Sequence, residues 1–163
     1  MKIAPGSAGD HERTDPETRC PEDVPEIRAL TLRAYARWQG VTLRPPRPVT
    51  ADYARAFCEH RFDLLVDRGQ IIALIETIPE GNELLIVNVA LDPGRQGEGH
   101  GVRLMCYAEA LAREGGLRGT RLYINKLMTA NIALYERLGY RFERETLHDQ
   151  GTVAVHMVRA LVA

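Results

Sequence analysis

Asn88-Val89-Ala90-Leu91-Asp92-Pro93-Gly94-Arg95-Gln96-Gly97-Glu98-Gly99-His100-Gly101 joins an apolar strand to a glycine-rich turn that opens directly into an amphipathic helix. Glycines at positions 97, 99 and 101 allow positive φ and let the backbone come close to a ligand. The amides that open the following helix point outward with the positive end of its dipole, so the stretch reads as a cradle for a diphosphate. A P-loop would place a lysine and a hydroxyl residue after its last glycine, but Val102 and Arg103 follow Gly101. A dinucleotide fingerprint would need a third glycine where Val102 stands, counting from Gly97, or Leu104, counting from Gly99. The turn therefore argues against ATP, GTP and NAD.

Further along, Leu122-Tyr123-Ile124-Asn125 reads as a strand, and Thr129 to Leu138 reads as a short helix with Thr129 as N-cap and Gly139 just past its end. Gln96-x-x-Gly99-x-Gly101, followed in order by Asn131-Ile-Ala-Leu-Tyr135-Glu-Arg-Leu-Gly139-Tyr140, resembles the two hallmarks of the GCN5-related N-acetyltransferase (GNAT) superfamily. With the elements around them the likeness spans roughly residues 17 to 161. It implies an α+β fold with a mixed, mostly antiparallel sheet flanked by helices on both faces, and acetyl-coenzyme A as co-substrate with no metal.

The resemblance also assigns roles. The backbone of Val89, Ala90 and Leu91 would pair with the pantetheine arm like an added strand, and the amides of Gln96, Gly97, Glu98, Gly99, His100, Gly101 and Val102 would hold the diphosphate. The imidazole of His100 is expected to point to solvent. Tyr135 would attend the departing coenzyme A thiolate. Asn131 would bond to the pantetheine arm, with Asn125 in the same neighbourhood, although much of the superfamily has its helix asparagine seven residues before the tyrosine, where Met128 stands. Many relatives carry a glutamate before the strand asparagine to take a proton from the amine. Here Val87 precedes Asn88, which can hold a water but cannot act as a base. Glu76 reads either as a buried carboxylate with a raised pKa or as an outward-facing charge.

The implied activity is N-acetylation of a primary amine, on a small molecule or peptide, by direct attack in a ternary complex with a backbone amide near Val89 on the oxyanion. A non-catalytic acyl-coenzyme A sensor or regulatory domain stays open because of Val87, and an acyltransferase with another donor or acceptor atom stays open on the same scaffold. Tyr35, Trp38, the proline run and Tyr53 stand where an acceptor wall would form, and Arg44 and Arg47 could orient an acceptor carboxylate or keep the loop soluble.

At 163 residues the chain suits one domain, expected over 17–163 after a polar, broken tail over 1–16. Lys plus Arg number 21 and Asp plus Glu 22, and the net charge of -1 offers no case for nucleic acid or an anionic membrane. Cys20, Cys58 and Cys106 lack metal-ligand spacing and read as buried reduced thiols. No apolar run approaches the roughly 18 residues of a membrane span and no signal peptide is visible, so a cytoplasmic protein is expected.

Asp23 with Glu26 reads as a capping box for a first helix that runs to Gly40. Arg44-Pro45-Pro46-Arg47-Pro48 reads as an extended connection, with Thr50 capping a second helix over Ala51 to His60. A three-strand meander follows: Phe62 to Val66, Ile71 to Ile78 and Glu83 to Leu91. From Gly101 a helix presents Leu104, Met105, Ala108, Leu111 and Ala112 on one face, with Arg103, Glu109 and Arg113 toward water. A closing hairpin, Arg141 to Leu147 and Thr152 to Val158, offers edges through which a homodimer could form.

Overall fold

Alternation along the second long strand sets the two faces of the sheet. Ala73 and Ile75 join one apolar cluster and Leu74 joins the other, as a period of two requires. The computed structural model describes residues 17–18 and 21–162, so the tail expected over 1–16 and Cys20 lie outside the described residues. The strands are β1 (Glu17–Thr18), β2 (Arg61–Asp67), β3 (Gln70–Glu80), β4 (Glu83–Leu91), β5 (Gly119–Asn125), β6 (Arg141–Leu147) and β7 (Val153–Ala160). They form one sheet in the order β1-β2-β3-β4-β5-β7-β6. Among the neighbouring pairs of described strands, only β4 and β5 run parallel. This is the α+β architecture the sequence implies.

The helices are α1 (Val24–Tyr35), α2 (Arg47–Thr50), α3 (Tyr53–Glu59), α4 (His100–Glu114) and α5 (Thr129–Arg137). Ile27 and Leu30 of α1, with Tyr53 and Ala56 of α3, bury one face of the sheet against Phe62, Leu64, Leu74 and Ala90. Leu104, Met105, Ala108 and Ala112 of α4 bury the other against Ile75, Ile86, Leu122 and Met157. Both helices present one apolar stripe, which the sheet covers.

Several local expectations give way to neighbours. Asp23 takes helical dihedrals (φ -77, ψ -15) and makes no capping bond, and Glu26 instead pairs with Arg33 at 3.2 Å. Part of the proline run is helical after all: α2 begins at Arg47 because a proline in the first turn forfeits no intrahelical bond. The cap of the following helix is Asp52, which accepts from the Arg55 amide at 3.2 Å, rather than Thr50. Thr129 is the first residue of α5 and not its N-cap, a position held by Met128. Strand β3 continues through Pro79 and Glu80, which tightens its turn to Gly81–Asn82. Cys58 and Cys106 are unpaired but exposed, not buried.

Glu109 is the largest departure. Expected toward water, it is only 5% exposed and pairs with Arg159 of β7 at 2.8 Å. The same guanidinium donates to the Leu138 carbonyl at the end of α5, so one arginine fastens α4, β7 and α5 together. Removing Arg159, whose side chain is itself a third exposed, leaves the buried Glu109 carboxylate with Arg113 at 3.8 Å as its remaining partner among the described residues. Arg159→Met is therefore expected to cost about 1–2 kcal/mol in denaturant unfolding, less than a fully buried pair would, and the double change Glu109→Gln with Arg159→Met to recover at least about half of it. Equal losses in the single and double variants would mean the pair is not coupled.

Candidate active site

The parallel pairing of β4 with β5 covers only Glu83–Ile86 against Gly119–Leu122. Beyond Ile86 the strands part. On the far side of β4, Glu76 pairs with Asn88 and Thr77 with Ile86, so Val87 is an extra, bulged residue. Bulges sharpen the twist of the strand that carries them. Strand β5 keeps β7 as its neighbour out to Asn125. The result is a cleft of about 200 Å³, walled by Val87, Asn88 and Val89 on one side and Tyr123, Ile124 and Asn125 on the other. Tyr135, Asn131 and Met128 of the α5 region and the segment Arg44 to Pro48 also line it.

The glycine turn stands at the end of β4. Gly97 (φ +84) and Gly99 (φ +83) lie in the left-handed region, and no atom lies within 4 Å of where a Cβ would project from either. Gly99 is the N-cap of α4. Gly101, expected to need positive φ, sits inside the helix, and a Cβ there would meet only Leu91 at 3.7 Å. Left-handed glycines ahead of a fifteen-residue helix leave its first amides uncovered for an anion. Glu98 would oppose an anion, but Arg95 reaches it at 2.9 Å and His100 Nε2 at 2.8 Å. The arginine and the histidine hold its carboxyl below the usual carboxylate value. The imidazole of His100, expected in solvent, is thus folded back with 15% of the side chain exposed.

Asn88 is 2% exposed. Its Oδ1 accepts from the Tyr35 hydroxyl at 3.0 Å and its Nδ2 donates to Thr31 Oγ1 at 3.3 Å. Helix α1 therefore fixes the amide, and burial pushes the Tyr35 phenol well above its usual value. Tyr135 is half-buried, with its ring against Tyr140 at 6.0 Å, and its hydroxyl makes no hydrogen bond to any described residue. Burial raises its pKa to about 12, with Arg37 pulling the other way. Asn131 accepts from Arg37 at 2.7 Å, joining the turn after α1 to α5 across the mouth. Asn125 Oδ1 accepts from the Leu127 amide at 2.9 Å, closing the turn after β5.

Sequence reasoning missed Arg37, Thr31 and the tie between Tyr35 and Asn88, because each joins segments far apart in the chain. It also missed His60. Glu76 is the buried alternative of the two readings: it is 2% exposed, and His60 Nδ1 lies 2.5 Å from its carboxylate. It does not line the cleft. Burial raises its pKa, opposed by His60. A carboxyl with a raised folded-state pKa supports the fold fully below its unfolded pKa and loses that support as pH rises through the folded value.

The family model for the acetyltransferase (GNAT) family matches residues 25–140, and the chain belongs to that family. No curated protein matches it. Among solved structures, the ribosomal-protein-S18-alanine N-acetyltransferase of Escherichia coli is similar at 22% identity and a TM-score of 0.71, over 90% of this chain and 92% of that one. PaiA N-acetyltransferase from Thermoplasma acidophilum, solved with coenzyme A, is similar at 16% identity and a TM-score of 0.67, over 87% of this chain and 98% of that one. A Bacillus anthracis protein assigned as a streptothricin acetyltransferase, solved with acetyl coenzyme A, shows 21% identity and a TM-score of 0.59. The match covers 63% of each chain, so this chain spans under two thirds of that protein's length. At these identities the likeness is one of fold. No described helix is long and apolar enough to cross a membrane.

Two outcomes are expected from this geometry. Glu76→Gln, which keeps an oxygen for His60, melts above the parent at pH 8, and the gap closes as pH falls below about 4; a gap constant with pH would deny the buried carboxylate its cost. At the turn, Gly99→Ala weakens acetyl-coenzyme A binding by calorimetry at least about tenfold, while Gly101→Ala stays within about threefold. Equal effects would show that the left-handed cap is not what the ligand requires.

Proposed function

We propose that this protein is an acetyl-coenzyme A dependent N-acetyltransferase acting on a primary amine by direct attack in a ternary complex. The observation that carries the reading is a cleft lined by an unpaired β4 edge and by a tyrosine with a free hydroxyl, on a strand that runs on into a left-handed glycine turn. The bound co-substrate supplies an acetyl thioester whose thiol has a pKa of about 8.5.

The chain's own groups supply the rest. Amides of Gln96 through Val102 hold the diphosphate, and the backbone of Val89, Ala90 and Leu91 takes the pantetheine arm. Asn88, immobilised by Tyr35 and Thr31, holds a water near the reacting amine. An amide near Val89 donates to the developing oxyanion. A phenol held near 12 is a far weaker acid than that thiol, so Tyr135 serves the leaving sulfur by donating a hydrogen bond more than by giving up its proton. Asn131 already accepts from Arg37, which leaves its amide nitrogen for a ligand carbonyl. The two exposed, unpaired cysteines suit a reducing cytoplasm.

A second reading, an acyl-coenzyme A sensor without turnover, draws on Val87 and on the lack of any Asp or Glu among the described residues of the cleft wall. Release of coenzyme A thiol from acetyl-coenzyme A against pooled amines separates the two. Amine-dependent release that falls at least about tenfold in kcat for Tyr135→Phe is expected. Tight cofactor binding with no release from any pool would select the sensor.

A further inference from the structure

We infer that the acceptor is a small amine that also carries a carboxylate, of the amino-acid or short-peptide class, and that Arg44 and Arg47 hold that carboxylate; this rests on the acetyl-transfer reading above. The two arginines and His148 line the cleft, and no Asp or Glu among the described residues does. Many of the other arginines find acids, among them Arg55 with Glu59, Arg61 with Asp63, Arg95 with Asp67, Arg121 with Glu143 and Arg159 with Glu109. Here they meet neutral partners. Arg44 Nε donates to Gln150 Oε1 at 2.8 Å, and Arg47 Nη1 to the Tyr123 hydroxyl at 3.3 Å. Each guanidinium retains further N–H donors, and a carboxylate accepts them in pairs.

The segment that carries them is built to stay in place. Pro45, Pro46 and Pro48 restrict the backbone, and Pro48 is buried with its carbonyl accepting from the Tyr53 hydroxyl at 2.6 Å. Arg47 lies over the Tyr123 ring at 5.7 Å, and Arg44 reaches across to the turn between β6 and β7. Little ordering is left to pay for when an anion arrives.

The same charges account for the proton. A polyamine, an aminoglycoside or a lysine-rich peptide would bring several ammonium groups to a wall with no carboxylate to meet them. An amine anchored by its own carboxylate brings one, and nearby cations lower the pKa of an ammonium. A peptide α-amine begins at only about 8, so the cleft can receive it neutral with water as the proton acceptor. The position of Val87 then needs no carboxylate base.

The test compares α-amino acids and dipeptides with their C-terminal amides and with spermidine, reading acetylated product by mass. Carboxylate acceptors are expected to exceed their amides in kcat/KM by about tenfold or more. Arg44→Gln with Arg47→Gln should raise KM for them about tenfold with a smaller change in kcat, and the two lysine replacements should recover part of the loss. Acetyl-coenzyme A binding by calorimetry reports whether each variant is folded. Spermidine or the amides acetylated as well as the carboxylates would overturn the acceptor assignment and leave N-acetyl transfer standing. Should no amine turn over, calorimetric binding of the same amino acids to the coenzyme A loaded protein decides. Binding lost in the double glutamine variant supports the carboxylate site, and no binding to the parent removes it.

Discussion

The end of the β4–β5 pairing at Ile86 and Leu122 is the constraint on which the site depends. Buried backbone amides and carbonyls must find partners, and a strand that leaves its neighbour in the middle of a sheet needs water or a ligand to supply them. The extra residue Val87 turns β4 away, while β7 holds β5 straight to Asn125. Everything that bears on a ligand hangs from these two diverging strands. The glycine turn follows β4, and the helix of Tyr135 follows β5. Continued pairing would have joined the two edges and left neither cleft nor reach between turn and tyrosine.

Side chains from the first part of the chain keep that opening in shape. Tyr35 and Thr31 seize Asn88 from above the sheet, and Arg37 crosses to Asn131 on α5. On the same face Glu76 lies opposite Asn88 and is met by His60. Burying these polar groups costs free energy that only complete hydrogen bonding offsets, so the arrangement is stiff where it is satisfied. On the other face, Arg159 ties Glu109 of α4 to the Leu138 carbonyl of α5, which fixes the helix carrying Tyr135 relative to the helix that follows the glycine turn.

The fold class, the order of the strands along the chain and the glycine turn were legible because they are encoded locally. Positive φ at 97 and 99 calls for glycine, and apolar alternation marks each strand. What the sequence hides is set by distance along the chain. Glu109 reads as surface until Arg159 is beside it, and a helical period cannot show a partner fifty residues away. The bulge at Val87 leaves no mark, since an apolar residue fits a regular strand equally well. Thr50 and Asp23 look like caps, yet Asp52 and a preceding turn of helix decide those ends. Arg44 and Arg47 were visible as residues, but their position over the cleft depends on where the proline segment is carried.

On the proposed reading the glycine turn and the arginine segment recognise charge by different means, and this explains why only the turn announces itself. Arg95 beside the glycine turn is already engaged by Asp67 at 2.7 Å and Glu98 at 2.9 Å, so what the turn offers an anion is its backbone amides. Backbone recognition fixes φ and excludes side chains, which writes glycines into the sequence at set spacing. In the cleft Arg44 and Arg47 have no acidic partner among the described residues and offer guanidinium forks instead. A fork on a long side chain can be supplied from many backbone positions, so it imposes no spacing. On that reading, a scaffold that holds its donor with backbone and its acceptor with side chains can keep one co-substrate while changing the other by a few substitutions in a single loop.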